Sequence, residues 1–113
     1  MKEIKAIIRP FKLLKVLEEL KKINKLPGIT ISEVIGFGKD EINTKDIKVL
    51  DDKIISVPRT KIEIVVDDSM AEEVLSIIQK FAHTGNAGDG KIFVSKVDEI
   101  IKIRTNERSK VAI

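Results

Sequence analysis

Thr84-Gly85-Asn86-Ala87-Gly88-Asp89-Gly90-Lys91-Ile92-Phe93 is the stretch from which the rest of the chain can be placed. Three glycines and an Asn within seven residues cannot form the interior of a helix or strand, because Gly loses too much backbone freedom there. They permit a tight loop at positive φ whose N–H groups point into one concavity. Such a nest binds anions, and the Lys that follows adds a point charge suited to phosphate. The spacing differs from the P-loop, which needs four residues between its glycines and then Gly-Lys-Ser/Thr. A plain turn therefore remains open beside the phosphate reading.

Working outward, Ile92-Phe93-Val94 begins a strand from Lys91 to about Val97. Upstream, Val74, Leu75, Ile77, Ile78 and Phe81 form the stripe of a helix. Asp67-Asp68-Ser69 start that helix, with Ser69 and Glu72 at capping-box spacing. Arg59 to Val66 alternates as a strand, with Ile62, Ile64 and Val66 on one face. Glu3 to Arg9 alternates likewise and stops at Pro10. From Phe11 to about Lys25 the period becomes helical through Leu13, Leu14, Val16, Leu17, Leu20 and Ile23, supported by a Glu18–Lys22 pair. Ile29 to Gly38 reads as another strand. Lys39 to Val57 is long, charged and without clear period, either a functional loop or a strand extension turning at Asp51-Asp52. Past Val97 an extended piece puts Ile101 and Ile103 on one face, Lys102 and Arg104 on the other.

The order strand, helix, strand, strand, helix, strand predicts an α+β, ferredoxin-like βαββαβ sandwich, a four-stranded antiparallel sheet with both helices on one face. Ile7, Val34, Val65 and Phe93 would lie on the other face with nothing in the chain left to cover them, which predicts a homo-oligomer. With 113 residues, 42% hydrophobic and 35% charged, one domain spanning 1–113 is expected and disorder is not. The absence of Cys excludes disulfides and thiolate metal sites, and a single His excludes a multi-histidine site within one subunit. No metal site is expected; the acids Asp40, Glu41, Asp46, Asp51 and Asp52 read as a solvated face. No signal-like or membrane-length apolar run occurs, so the cytoplasm is expected and membrane insertion is not. Trp and Tyr are absent, and Phe93 alone on the plausible face argues against nucleic acid.

The assembled motifs resemble the P-II family of nitrogen-regulatory signal-transduction proteins. Thr84-Gly85-x-x-Gly88-Asp89-Gly90-Lys91-Ile92-Phe93-Val94 is similar to the family's carboxy-terminal signature. Ala6-Ile7-Ile8-Arg9-Pro10-Phe11-Lys12-Leu13, Gly36-Phe37-Gly38, Lys61-Ile62-Glu63-Ile64-Val65-Val66 and Ile103-Arg104-Thr105 add to it. The resemblance implies a homotrimer with ATP or ADP in clefts between subunits. Gly88, Asp89, Gly90 and Lys91 would hold the phosphates, joined by Arg104 and Lys102 of a neighbour. Thr30 and Val65 would line the adenine pocket, with Gly38, Lys39 and Glu63 at further nucleotide positions.

The long loop at about 39–57 would report to a target protein, a transporter or enzyme. It carries no Tyr for uridylylation, and Leu50 stands near the place of a serine phosphorylated in other members. Asp40 stands where the family has a Gln that, with ATP-bound Mg2+, holds 2-oxoglutarate; its negative charge suits a dicarboxylate less than a neutral amide does. Arg59 replaces a Lys that pairs with the same effector and can bind a carboxylate bidentately. A non-enzymatic nitrogen sensor is the first reading. A divergent sensor for metal efflux or inorganic carbon is the second. A small phosphotransferase using His83 as nucleophile is the third, against which His83 simply complements a helix dipole.

Overall fold

The structure, a computed structural model, describes residues 1–37, 48–51 and 54–113, with 48–51 and 54–56 as backbone only. In order these are strand β1 (Lys2–Ile8), a 3-10 turn (Pro10–Lys12), helix α1 (Leu13–Leu20), strands β2 (Thr30–Gly36), β3 (Lys48–Asp51) and β4 (Ile54–Val66), helix α2 (Asp68–Ala82), strand β5 (Gly90–Lys96) and a second 3-10 turn (Ser109–Ala112). The four principal strands lie in the order β2-β4-β1-β5, each pair antiparallel. This is the expected ferredoxin-like arrangement. Between 39 and 57, β3 pairs with the start of β4 as a strand extension requires, while the expected turn at Asp51-Asp52 falls partly outside the described residues.

Register fixes which residues reach the core. Ala6 stands opposite Ile62 and Ile92, and Ile4 opposite Ile64 and Val94, so alternate residues of three strands share one face. Ile4, Ala6, Ile8, Ile62, Ile64 and Val66 are all at most 2% exposed. Against them α1 presents Val16 and Leu20, and α2 presents Ala71, Val74, Ile78 and Ala82, spaced three or four residues apart along one helix face. Full burial of each large aliphatic side chain stabilises by about 1.5–3 kcal/mol before conformational entropy is charged against it.

Several local expectations are corrected. The first helix is shorter than Phe11–Lys25 at both ends. Pro10 opens it as a 3-10 turn; beyond Leu20, Lys22 and Ile23 donate to Glu19 and Leu20 in i→i−3 bonds, and Lys25 adopts φ 60°. Leu14 does not join the stripe; it is 80% exposed. Lys22 pairs with Glu19 at 3.0 Å, not with Glu18. Helix α2 is capped by Asp67, whose carboxylate accepts from the Ser69 N–H at 3.2 Å and the Ser69 hydroxyl at 2.5 Å. Those bonds from Ser69, with Lys110 3.1 Å away, hold the Asp67 pKa down at about 2.

Lys102 and Arg104 do not lie on a strand face. Ile101 bridges to Arg108, the Lys102 N–H donates to Glu107 O, and the Asn106 N–H donates to Lys102 O, with Asn106 at φ 61°. The segment therefore folds back as a hairpin-like turn, and Ser109 continues the return by donating to Ile100 O at 2.8 Å.

The sheet face away from the helices bears Ile7, Val34, Val65 and Phe93, as expected. They are interleaved with Lys5, Lys61, Glu63 and Lys91, so the face is mixed in polarity. Phe93 is 52% exposed.

Candidate functional site

The loop between α2 and β5 is built by its glycines. Gly85, Gly88 and Gly90 have φ of 91°, 95° and 99°, a region that side chains with Cβ rarely occupy. Gly90 has a second constraint, since a Cβ there would lie 1.7 Å from the carbonyl oxygen of Ile7. The backbone of β5 thus begins in direct contact with β1, which ties the loop to the rigid sheet.

The nest faces an anion that belongs to the chain itself. One carboxylate oxygen of Asp89 accepts from the backbone N–H groups of Thr84 at 2.8 Å and Gly85 at 2.9 Å. The other accepts from the Thr84 hydroxyl and from Arg9 Nε at 3.2 Å. Burial alone would raise the Asp89 pKa. The bonds from the Thr84 hydroxyl, the two backbone N–H groups and Arg9 outweigh it and hold the carboxyl well below the usual range. In this structure Asp89 organises the loop from within.

Arg9 is the residue that pattern reading misses. Alternation places it on the outer strand face, yet it is 7% exposed, and its Nη2 donates to Ala87 O at 2.7 Å. Arg59 is 4% exposed and donates from Nη1 to Pro58 O at 3.0 Å. A Cβ on Gly88 would sit 3.1 Å from Arg9 Nη2 and 3.2 Å from Arg59 Nη2. Two guanidinium tips therefore converge on the bare Cα of Gly88. Both arginines also line a cavity of about 210 Å³ with Pro10, Phe11 and Pro58. Paired arginines lining a cavity favour a carboxylate or phosphate. The only local hint in the sequence is an Arg at a strand end before Pro.

Lys91 is exposed and stands opposite Ile7 in the register. It lines a second cavity, about 350 Å³, with His83, Gln79 and apolar side chains of α2 and β5. His83 is the exposed C-cap residue of α2.

Thr30, Glu63 and Val65 share a different cleft of about 370 Å³, to which Gly28, Ile100 and Ile113 also contribute. Thr30 pairs with Glu63 in the β2–β4 register, and the Glu63 carboxylate lies 3.3 Å from Lys61 Nζ. This cleft occupies the opposite end of the sheet from the glycine loop. From Gly90 to Lys96, β5 covers six residue steps, about 20 Å. The chain that continues to Lys102 and Arg104 leaves at the far end, where Ile100 lines the cleft and Lys110 reaches Asp67 at 3.1 Å. The chain thus groups the expected adenine residues with the Lys102–Arg104 turn, and groups Gly88, Asp89, Gly90 and Lys91 with Arg9 and Arg59. Gly38, Lys39 and Asp40 lie outside the described residues.

Fold and loop together define a ferredoxin-like α+β module whose glycine loop is tied directly to its sheet. The chain belongs to the P-II family: the family profile Nitrogen regulatory protein P-II matches residues 1–107. A Nitrogen regulatory protein P-II of Azospirillum brasilense is 44% identical over 113 residues, the whole of both chains. A Nitrogen regulatory protein P-II 2 of Methanothermobacter thermautotrophicus is 47% identical over all of this chain and 97% of its own. The crystal structure of Arabidopsis thaliana PII bound to citrate superposes with a TM-score of 0.78 at 38% identity, covering 99% of this chain and 91% of that one.

Proposed function

We propose that the protein is a non-enzymatic signal-transduction regulator that binds ATP or ADP between the subunits of a homotrimer. In this reading it controls a target transporter or enzyme through residues 39–57, and works in the cytoplasm in nitrogen metabolism. The observation that carries the reading is the division of the site residues between two ends of one sheet. A base-sized cleft and the cations Lys102 and Arg104 lie at one end; the glycine loop, Lys91 and two buried arginines lie at the other. Neither half is complete alone. One subunit's cleft set against its neighbour's loop makes a site for a nucleotide with its phosphates, and the partly apolar open sheet face supplies surface for the contact.

Within that site Gly88, Gly90 and Lys91 contact phosphate, while Asp89 acts indirectly by holding the loop's shape. Thr30, Glu63 and Val65 receive the base. ATP and ADP differ in phosphate charge, and that difference biases the loop between conformations a target distinguishes.

The paired Arg9 and Arg59 fit a dicarboxylate such as 2-oxoglutarate, and the Arabidopsis relative is described with citrate, itself a polycarboxylate. Among the described residues, no group of three or more His, Cys, Asp or Glu side chains is placed to hold a metal ion. In this reading Mg2+ enters with ATP, and Asp40, which lies outside the described residues, stands at the sequence position that the family resemblance gives to the group beside it. Among the described residues, no helix is long and apolar enough to cross a membrane, so a membrane target would be met from outside the bilayer.

Calorimetric titration of the intact protein with ATP and with ADP tests the reading. Saturable binding approaching one nucleotide per subunit is expected, and no binding at millimolar nucleotide would refute it. Repeating the ATP titration with Mg2+ and 2-oxoglutarate tests the effector: tighter ATP binding is expected, and unchanged affinity would remove 2-oxoglutarate.

A further inference from the structure

The segment Ser109–Ile113 follows the last residue matched by the family profile, yet it helps build the cleft that contains Thr30, Glu63 and Val65. Ala112 is 8% exposed, and Ile113 lines the cleft while remaining 37% exposed itself. The segment is seated by a short ladder. Ser109 N–H donates to Ile100 O at 2.8 Å, with Ser109 at φ 63°, and Lys110 Nζ reaches Asp67 Oδ1 at 3.1 Å. Arg108 adds a contact to Glu99 at 3.3 Å. Such exposed contacts are individually weak. Together they bring an apolar side chain into the cleft that the β4 residue Val65 also lines.

We propose that Ala112 and Ile113 form one wall of the base cleft that Val65 also lines, and that this wall sets the preference for a purine nucleotide over its phosphate chain alone. The inference rests on the nucleotide reading above. Thr30 and Glu63 supply hydrogen-bonding groups on the sheet side, while Val65, Ile100 and Ile113 supply apolar surface around the remaining space. A flat heteroaromatic ring with polar edges fits that combination: polar groups fix its orientation and aliphatic side chains cover its faces. A phosphate chain has nothing to gain from Ile113. The segment therefore acts on base recognition and leaves the glycine loop, at the other end of the sheet, untouched.

The test uses the intact assembly and three ligands: ATP, ITP and inorganic tripolyphosphate, the last measured by displacement of a fluorescent ATP analogue. Ile113→Ala is expected to weaken ATP about threefold to tenfold, consistent with partial loss of one aliphatic contact, and to leave tripolyphosphate unchanged. Ile113→Leu should restore ATP affinity to within twofold, as volume-conserving swaps are tolerated. Lys110→Ala, which loosens the segment without touching the cleft, should weaken ATP and ITP alike and spare tripolyphosphate. ATP binding that stays within twofold in both Ile113→Ala and Lys110→Ala would overturn the wall while leaving the nucleotide reading intact. Tighter ATP binding in Ile113→Ala would overturn it too, by showing that the segment competes with the base. An unaltered protein that binds no ATP would refute the nucleotide reading, and the wall with it.

Discussion

Replacing Asp89 with Ala tests how the glycine loop is held. The substitution removes the acceptor for two backbone N–H groups, one hydroxyl and the Arg9 Nε. A hydrogen bond to a charged group contributes about 1.5–3 kcal/mol net, but bonds sharing one acceptor do not add. Arg9, whose side chain is 8% exposed, keeps its 2.7 Å bond to Ala87 O and so is not stranded completely. The expected loss of stability is about 3 kcal/mol, toward the low end for breaking a buried charged pair. Asp89→Asn preserves volume and one carbonyl acceptor, but its amide NH2 must face donors. About half that loss is expected. Urea unfolding at fixed protein concentration measures both, because assembly would otherwise shift the midpoint. Amide exchange at Thr84 and Gly85 localises the effect and should accelerate in both variants. A change under about 0.5 kcal/mol in Asp89→Ala, the level of an ordinary surface substitution, with unaltered exchange, would refute the claim that Asp89 is the loop's anchor.

Other consequences are more local. Because the Asp89 carboxyl is held below its ordinary pKa in the fold, its stabilisation is complete above about pH 4 and is lost as pH falls through the folded value. Acid titration of the unaltered protein should show this loss, and Asp89→Asn should be flatter below pH 4. Gly90→Ala places a Cβ 1.7 Å from Ile7 O at positive φ; at least about 3 kcal/mol of destabilisation, or failure to fold, is expected by thermal unfolding. Gly88→Ala meets only guanidinium tips at 3.1 and 3.2 Å. It should fold with a loss of about 1–2 kcal/mol from the left-handed backbone while weakening ATP and any dicarboxylate, as titration would show. Asp67→Ala removes the α2 cap and the partner of Lys110, so the Tm should fall by a few degrees.

Much of this architecture was readable because burial writes a period into the chain. Ile4-Ala6-Ile8 and Ile62-Ile64-Val66 alternate because one sheet face is sealed by helices, and Ala71, Val74, Ile78 and Ala82 recur at helical spacing for the same reason. The positive-φ loop was readable because only Gly tolerates that backbone cheaply. Leu14 misleads because it satisfies the helical period and is left outside; the chain alone does not say how wide the buried stripe is. Arg9 was illegible because its burial comes from a partner eighty positions away. The capping-box spacing of Ser69 and Glu72 points two residues too far along; β4 ends at Val66, and Asp67 caps the helix. Lys102 and Arg104 alternate with isoleucines as a strand would, yet Asn106 in the left-handed region turns the chain back on itself.

The central claim is that a nucleotide is held by the glycine loop of one subunit and the Lys102–Arg104 turn of another. Mixed assemblies test it most directly. Lys91→Ala protein and a Lys102→Ala/Arg104→Ala protein are each titrated with ATP, then unfolded together, refolded and titrated again. Each variant alone should have lost tight binding. The mixture should regain a fraction of unaltered sites, formed wherever an intact loop meets an intact turn. A mixture that binds no better than its two components, although hybrid assemblies are present by mass spectrometry, would contradict the account.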